Sequence, residues 1–449
     1  MEVKITTLDA FGRGITRVNN KICFVDRALP TEVCDIKIVK ENKKYSEAEV
    51  INMLEESKYR IMPLCPYYEK CGGCHIMHYD RQSELIYKEE KVSDLINKIG
   101  KLNNIRIKDI AYGNEFFYRN KLTLHVDNNK IGLYQEKSHD IIEIDECLIT
   151  NKTINEIVSK LKEYLKKNKN DLEEIIIRIT SLNETMLVLK GDIDTNNFIK
   201  EFSNITSIYL NDNLIHGNKY ILETINDLSF EIYPKSFFQV NYEMMKYMYN
   251  KVIEFKKENK DLNVLDLYCG TGTIGMLISK YCKSVIGVEV NSEAITSANR
   301  CKDKNGINNI SFYLGKVEDK IDMFSNIDSI VVDPPRSGLD KHTISTILKL
   351  NPKSIIYISC DPATLARDLN LLKDNNIHLL SVQMPKIYSL AQYQISIHPQ
   401  LHCLYYLFCP CQKKYCPLHI QYMQSNRSVC STLIFHFYGD ILHNPKFLY

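Results

Sequence analysis

The chain of 449 residues has no long apolar run and almost no net charge. Its 57 Lys and Arg residues nearly balance its 55 Asp and Glu residues, so the formal net charge is only +2. Without a general positive field, any contact with a nucleic acid must come from local basic patches. Met1 leads into a charged, alternating stretch, and no run of about 18 apolar residues follows it. The sequence therefore predicts a cytoplasmic protein without a secretory signal or a membrane span.

Internal repeats and low-complexity linkers are also absent, and the composition is that of a globular protein. Hydrophobic residues make up 44% of the chain and charged residues 25%, so disorder is not expected. A chain of this length suggests about two to four domains. The 15 cysteines, in a chain without an export signal, indicate thiols or metal ligands rather than disulfides.

Acidic residues are almost missing from the end of the chain. Residues 375–449 contain one acid, Asp440, where the average composition would give roughly nine, and no glutamate follows Glu318. The same segment holds six of the twelve histidines and five of the fifteen cysteines. This composition is too biased for an ordinary solvated surface.

Three explanations fit this biased segment. It could be a divergent tail, or it could hold a second metal site on Cys409, Cys411 and Cys416, although their spacing is not that of paired ligands. We favour the third explanation, in which residues 385–449 are an aberrant, out-of-frame tail that replaces the normal end of the last domain.

The pattern of apolar residues divides the rest of the chain into three parts. Residues 1–55 alternate in short strands separated by turns, which is typical of a small β-barrel. Residues 56–235 mix strands and helices around a cysteine-rich stretch. Residues 236–384 alternate apolar strands with helices, which predicts a parallel sheet covered on both faces. The expected fold class is α/β: a doubly wound, Rossmann-like domain after an OB-like β-barrel and a mixed α+β domain.

A glycine-rich loop follows the first strand of the third part. The stretch "LDLYCGTGTIG" places Gly270, Gly272 and Gly275 between an apolar strand and a helix, and Glu289 ends the next strand. This pattern is typical of a dinucleotide site, where glycines let the backbone approach the ligand and the acid binds ribose hydroxyls. S-Adenosylmethionine (SAM) also contains a ribose and an adenine. The loop alone therefore does not distinguish hydride transfer from methyl transfer.

Two further strand ends carry residues that suggest chemistry. "VVDPPRSG" puts Asp333 at the carboxyl end of a strand, where ligands bind in open α/β sheets, and its prolines stiffen the loop. Amino-group methyltransferases usually have an aromatic residue after the prolines, whereas this chain has Arg336. "SIIYISCDPATLARDL" puts Cys360 at the end of the next strand, on the same edge. A free cysteine is more often a buried apolar residue, but this position favours chemistry in the crevice.

Cysteines form a second candidate site. Cys65, Cys71 and Cys74 lie close together in "CPYYEKCGGCHIMH", and Cys147 follows at a distance. These four residues are called the cysteine cluster below. Thiolates bind zinc or iron–sulfur clusters, and the three-plus-one spacing is near that of plant-type ferredoxins. Histidines inside the same stretch keep zinc as an alternative.

Five motifs together resemble those of the RNA uracil-5-methyltransferases, in particular the iron–sulfur branch that modifies 23S ribosomal RNA. They are "CPYYEKCGGCHIMH", "FFQVN", "DLYCGTGTIG", "DPPRSGL" and "ISCDPATLARDL", and the resemblance covers roughly residues 1–384. It implies a class I methyltransferase domain, SAM as cofactor, 23S ribosomal RNA as substrate and an RNA-binding, TRAM-like barrel. The related transfer-RNA enzymes are expected to lack the barrel and the cysteine cluster, which favours ribosomal RNA. We expect a monomer without an obligate protein partner.

The resemblance also assigns roles to single residues. Cys360 is the nucleophile that adds to C6 of uracil, and the cysteine cluster holds a [4Fe–4S] cluster with a structural role. The cofactor contacts carry over to the following residues: Gln239, Tyr268, Thr273, Glu289 and Asp333.

The end of the chain departs from the family pattern. Family members end with a Phe-Pro turn and a glutamate that resembles the base for the C5 proton, and this sequence has neither after Glu318. The expected function is C5 methylation of a uridine in 23S ribosomal RNA, impaired by the tail. The alternatives are a catalytically defective RNA-binding iron–sulfur protein and a dinucleotide-dependent oxidoreductase.

Overall fold

The structure is a computed structural model that describes residues 1–9, 11–102, 107–258, 262–373, 377–386 and 404–410. Within these ranges the chain forms nine α-helices and 23 strands, arranged in four sheets. None of the helices in these ranges is both long and apolar enough to cross a lipid bilayer. Two large sheets, one central and one carboxy-terminal, contribute most of the buried apolar residues.

The amino-terminal strands form a small curled sheet. They are β1 (Glu2–Lys4), β2 (Thr7–Leu8), β3 (Gly14–Val18), β4 (Lys21–Val25), β5 (Val33–Glu41) and β6 (Tyr45–Glu55). Their order is β1-β5-β6-β4-β3-β2. Alternate residues point inward and fill an apolar core, because side chains alternate along a strand. Thr6 N donates to Ile15 O at 2.9 Å, so the chain after β1 reaches β3 and the sheet closes. The expected OB-like barrel is confirmed.

The central part of the chain contains three helices and ten strands. They are α1 (Arg81–Lys98), β7 (Ile107–Tyr112), β8 (Lys121–Asp127), β9 (Lys130–Tyr134), β10 (Ile141–Ile142), α2 (Lys152–Lys167), β11 (Asn170–Ile179), β12 (Thr185–Ile193), α3 (Thr195–Glu201), β13 (Ser207–Leu210), β14 (Asn213–Gly217), β15 (Ile221–Ile225) and β16 (Leu228–Ile232). The central sheet has the order β10-β9-β8-β11-β12-β13-β14. Its inner face shares one apolar cluster with α2, whose buried residues recur at helical spacing.

The last part of the chain alternates strands and helices. Its elements are α4 (Tyr242–Glu258), β17 (Asn263–Leu267), α5 (Thr273–Ser279), β18 (Ser284–Glu289), α6 (Ser292–Lys304), β19 (Ile310–Leu314), α7 (Val317–Lys320), a 3₁₀ turn (Ile321–Met323), β20 (Ser329–Val332), α8 (Lys341–Leu350), β21 (Ser354–Ser359), α9 (Pro362–Leu372), β22 (Ile377–Lys386) and β23 (Leu404–Pro410). The sheet order is β19-β18-β17-β20-β21-β23-β22-β7. The strands β17 to β21 are parallel and β23 is antiparallel to both its neighbours. The expected doubly wound α/β fold is therefore confirmed.

Two elements that precede the central sheet pack against the carboxy-terminal one. Val92 and Ile96 of α1 belong to the same apolar cluster as Leu265 of β17. The strand β7 pairs in parallel with β22 at the sheet edge. The sequence boundary at residue 236 therefore separates sequence patterns rather than packing units. The helix α1 buries apolar residues against this later sheet, while Tyr87 of the same helix packs against Leu8 and Leu29 of the amino-terminal part.

The proposed tail contributes a strand to the carboxy-terminal sheet. The strand β23 lies between β21 and β22 and is antiparallel to both. Residues 387–403 and 411–449 lie outside the described residues, and with them lie Cys411, Cys416 and Asp440. The suggested second metal site is therefore not described.

A buried lysine lies at the amino-terminal ends of the parallel strands in the carboxy-terminal sheet. Lys256 of α4 is fully buried, and its ammonium donates to Ser329 Oγ, at the start of β20. Burial lowers the pKa of Lys256 to about 8, because a desolvated ammonium is disfavoured.

We expect this lysine to make stability depend on pH. A base whose pKa is lower in the folded than in the unfolded state destabilises the fold while it is protonated, so stability should rise between pH 8 and the usual lysine pKa of about 10.4. Lys256→Met should raise the free energy of unfolding at pH 7 by about 2 kcal/mol and remove that rise. Thermal unfolding between pH 7 and 10 measures both effects. The exposed neighbour Lys257, changed to Met, is the control, and an unchanged pH profile in Lys256→Met would contradict the assignment.

Candidate active site

A cavity of about 840 Å³ opens at the carboxyl ends of the parallel strands. We call it the main cavity. It is lined by the loops after β17, β18, β20 and β21, and by residues 233–239 from the segment before α4. All six residues that the sequence singled out for cofactor or catalysis line it: Gln239, Tyr268, Thr273, Glu289, Asp333 and Cys360. Open α/β sheets bind their ligands at this position, because strand ends leave a crevice there.

The glycine loop holds Glu289 in place through the backbone. Gly270 N donates to Glu289 Oε2 at 3.0 Å, and Asn291 N donates to Oε1 at 2.8 Å. Tyr268 has φ = +60°, an uncommon conformation for a residue with a bulky side chain, and Gly270 has φ = +55°. The loop thus presents a fixed carboxylate at the cavity wall, which suits the hydroxyl groups of a ribose.

Gly272 lies where no side chain fits. Its φ is +72°, and a Cβ atom there would come within 2.4 Å of Phe312 Cζ. Gly306 has a similar φ of +64° but has no atom within 4 Å of the position of a Cβ, and it lies outside the cavity. Alanine at Gly272 would therefore add a steric clash to the strain of a left-handed backbone, whereas alanine at Gly306 would add only the strain.

We expect Gly272→Ala to weaken SAM binding by at least tenfold. The new methyl group must displace Phe312 or the loop, whereas Gly306→Ala incurs only the left-handed penalty of about 1 kcal/mol. Calorimetric titration with S-adenosylhomocysteine measures the difference. Wild-type affinity in Gly272→Ala would show that the loop geometry does not matter for the cofactor.

Two carboxyl groups line the cavity near the loop, Asp266, which is buried, and Asp333, which is partly exposed. Asp266 is 1% exposed, and its Oδ2 accepts from Gly275 N at 3.0 Å. Burial raises the pKa of Asp266 to about 8 and that of Asp333 to about 7. Both groups therefore change protonation near neutral pH, which is the range that acid–base chemistry needs.

Cys360 is half-buried and lies immediately before a helix. Asp361 is the N-cap of α9, since its Oδ1 accepts from Ala363 N at 2.8 Å and Thr364 N at 2.9 Å. Burial and the charge of Asp333 raise the pKa of the Cys360 thiol, and Arg336 lowers it, so that the pKa is about 11. The helix amino terminus also favours a thiolate. The thiol is therefore protonated in the free protein. Arg336 and the amino terminus of α9 both stabilise its thiolate form.

Sequence reasoning missed a buried group that holds the proline loop. Asp368 of α9 is fully buried, and its Oδ2 accepts from Leu339 N and from Tyr357 Oη, both at 2.7 Å. Arg367 donates through Nε to Asp368 Oδ1 at 2.8 Å and through Nη2 to Ser337 O at 2.8 Å. The helix that follows Cys360 thereby positions the loop that follows Asp333. The adjacent Arg-Asp pair was visible in the sequence, but its partners were not.

The segment that carries Gln239 is anchored to the central sheet. Asn120 Nδ2 donates to Gln239 O at 3.1 Å, and Asn120 N donates to Val240 O at 2.9 Å. Arg178 Nη2 donates to Ser236 O at 3.0 Å. The central part of the chain therefore supports one wall of the main cavity, a link that local sequence patterns do not contain.

The four cysteines of the cysteine cluster lie near one another. Cys74 and Cys147 pack on Tyr118 and Ile149. Burial, together with Cys147, Cys71 and Cys65, raises the pKa of the Cys74 thiol well above its usual value. Burial also raises the pKa of Cys71, to about 11. Within the described residues, however, no three His, Cys, Asp or Glu side chains stand in metal-ligating geometry.

Protein-family models match most of the chain. The model described as "tRNA (Uracil-5-)-methyltransferase" matches residues 82–319, a TRAM domain matches residues 1–51, and a methyltransferase domain matches residues 258–400. These matches decide between methyl and hydride transfer, which the glycine loop left open.

Whole-chain comparisons agree with these models. An uncharacterized RNA methyltransferase of Halalkalibacterium halodurans is 34% identical over 85% of this chain and 93% of its own. A second one, of Caldanaerobacter subterraneus, is 35% identical over 85% and 93%. The tRNA (uracil-54, C5)-methyltransferase of Pyrococcus abyssi, solved with S-adenosyl-L-homocysteine, has the same fold, with a TM-score of 0.71 and 23% identity over 91% of this chain and 99% of its own. The chain therefore belongs to the tRNA (uracil-5-)-methyltransferase family of SAM-dependent RNA methyltransferases, and it begins with a TRAM domain.

Proposed function

We propose that this protein methylates C5 of a uridine in 23S ribosomal RNA through a covalent adduct between Cys360 and C6. The supporting observation is that Cys360 lines the same cavity as Glu289 and Asp333. A nucleophile and a candidate cofactor site thus share one crevice. The amino-terminal TRAM domain would add RNA affinity without taking part in the chemistry, and the enzyme would act in the cytoplasm as a monomer.

The chemistry requires a thiolate because C5 of uracil is a weak nucleophile. Cys360 Sγ adds to C6, and the electrons of the C5–C6 double bond move toward C5 and O4. SAM, when bound, supplies a methyl group on a sulfonium for C5. A base then removes the C5 proton, and the electron pair left on C5 restores the double bond and expels the thiolate. The target base must leave its stack to reach the cavity.

The residues that would hold the cofactor are those of the cavity wall. Glu289, fixed by two backbone N–H groups, would bind the ribose, and Gln239, Tyr268, Thr273 and Asp333 would contact the rest. Asp333 lines the same cavity as Cys360, and its charge acts on that thiol, so we propose it as the acceptor of the thiol proton.

This chain lacks the residue that is expected to accept the C5 proton. The family resemblance places a glutamate near the end of the domain, and no glutamate follows Glu318 here. This absence supports an out-of-frame tail, and it favours a second candidate function, an RNA-binding protein that methylates poorly.

We expect the 449-residue chain to stall as a covalent RNA adduct. Without its base, the adduct keeps the C5 proton and the thiolate cannot leave. Denaturing gel electrophoresis after incubation with SAM and labelled RNA would show a shifted band, and Cys360→Ala would not. Rapid multiple turnover would mean that another group, such as His398 or water, serves as base. Sequencing the gene through codons 375–395 tests the origin of the tail.

The thiols fit a soft metal centre chemically. Burial and the neighbouring cysteines raise the pKa of the Cys65, Cys71 and Cys74 thiols, so a cation bound there would be favoured by the thiolates it stabilises. We propose that Cys65, Cys71, Cys74 and Cys147 hold a [4Fe–4S] cluster. Uracil methylation needs no electron transfer, so the proposed role of the cluster is structural.

One experiment tests the function directly. Mass spectrometry of ribosomal RNA from cells with and without this gene should show one or more 5-methyluridines that depend on it. The Pyrococcus abyssi enzyme has the same fold over 91% of this chain, so domain architecture does not separate the two RNA classes. Transfer RNA from the same cells is therefore measured in parallel. A dependent methyluridine in transfer RNA alone would overturn the ribosomal assignment.

A further inference from the structure

Three basic side chains lie together on the central sheet. Lys121 of β8 and Arg178 of β11 are directly opposite each other in the antiparallel register, so their side chains leave the same face. Arg119 is hydrogen-bonded to Lys121, since its Nε donates to Lys121 O at 2.9 Å. We call Arg119, Lys121 and Arg178 the basic trio.

The basic trio has no acidic partner among the described residues. Arg178 is only 5% exposed, and its Nη1 has no hydrogen-bond partner within the described residues. Burial, together with the charges of Arg178 and Arg119, lowers the pKa of Lys121 to about 8. Glu174 favours the charged lysine, but it forms no ion pair with Lys121 in the described part of the chain. Desolvated like charges are costly, so an anion would stabilise them.

The position of the basic trio links the two candidate sites. Asn120, between two of its members, donates to the backbone of Gln239 at the main cavity. On the other side, Arg119 N donates to Ile149 O, and Arg119 lowers the pKa of Cys74. The basic trio therefore lies between the main cavity and the cysteine cluster.

An aromatic residue next to the basic trio has a strained backbone. Phe117 has φ = +57°, which is a genuine outlier for a bulky side chain and is typical of functional positions. Lys152 Nζ lies 5.0 Å from the centre of its ring. Basic side chains interleaved with an aromatic ring are typical of single-stranded nucleic-acid sites.

We propose that the basic trio binds the phosphodiester backbone of the RNA strand that carries the target nucleotide. Arg119 and Lys121, which are half-buried, contact the phosphate, and Arg178 beneath them adds positive potential. A nucleotide that leaves its stack must have its flanking phosphates held near the cavity, and phosphate contacts position RNA without reading its sequence. This inference rests on the proposed function, since it assumes an RNA substrate.

The salt dependence of RNA binding tests this site. The probe is a fluorescent oligouridylate of about 12 nucleotides, and the variants are Arg119→Gln and Lys121→Gln. Each lost phosphate contact should reduce the slope of log Kd against log salt concentration by about 0.7 and weaken binding at low salt. Lys190→Gln is the matched control, because Lys190 lies on the same sheet but pairs with Glu173 at 3.6 Å. It should keep the wild-type slope.

The outcomes separate this inference from the proposed function. If the wild-type protein binds no RNA at any salt concentration, the proposed function itself fails. If it binds RNA and both variants keep the wild-type slope, the basic trio is not a phosphate site. Removal of an uncompensated cation should leave Tm equal or higher, so a lower Tm with an unchanged slope would assign these residues a structural role and overturn the proposal.

Discussion

Replacement of Cys360 by alanine is expected to abolish methyl transfer and to leave SAM binding nearly intact. The thiol at the end of β21 is the proposed nucleophile for C6, and loss of a covalent nucleophile in another enzyme costs about 10⁶ in kcat. The N-cap Asp361 and the anchoring Asp368 remain, so α9 and the proline loop should keep their places. Transfer of a labelled methyl group from SAM to RNA measures the first effect, and calorimetric titration with S-adenosylhomocysteine measures the second.

The control for this experiment is a cysteine of the same cavity. Cys269 also lines the main cavity, but it follows β17 in the glycine loop, and among the described residues it has no neighbour like Arg336, which lowers the pKa of the Cys360 thiol. Cys269→Ala should therefore retain covalent adduct formation, whereas Cys360→Ala should show none. Substantial turnover by Cys360→Ala would rule out the nucleophile assignment.

Replacement of Cys74 by alanine is expected to remove a bound iron–sulfur cluster. Protein purified without oxygen should be brown and contain about four irons per chain, and Cys74→Ala should contain almost none. Cys74 is the cysteine whose pKa is raised most clearly by burial and by the other three, so it would sit nearest the centre of the site. Residues 65–78, the cysteine-rich stretch, should also become more sensitive to protease in Cys74→Ala.

The control for loss of the iron–sulfur cluster is Cys282→Ala. Cys282 is a half-buried free cysteine beside Lys256, and it is not one of the four residues of the cysteine cluster. It should keep its iron and colour. Stoichiometric zinc without visible absorbance in the wild-type protein would contradict the iron–sulfur assignment and would support the zinc alternative.

Local patterns were enough to locate the main cavity. Gly270, Asp333 and Cys360 each follow an apolar strand, and the carboxyl ends of parallel strands meet at one edge. The position of a residue along its own strand is therefore sufficient to bring such residues together. The same reasoning placed the OB-like barrel, because alternation and turns are also local features.

Other features depended on contacts between distant segments. Asp368 could not be predicted to anchor Leu339 N, and Arg178 could not be predicted to face Lys121, because strand register is set by the whole sheet. The packing of α1 on the carboxy-terminal sheet was missed for the same reason.

The sequence by itself determined the fold class, the family resemblance and which residues could carry the chemistry. These follow from spacing within single strand–turn–helix units, where 3.6-residue and two-residue periods are readable. Only the tertiary structure decided which groups lose water and which charges meet. The raised pKa of Asp333 and Cys360 and the uncompensated charge of the basic trio arise from burial by segments far apart in the chain, and desolvation has no local sequence signal.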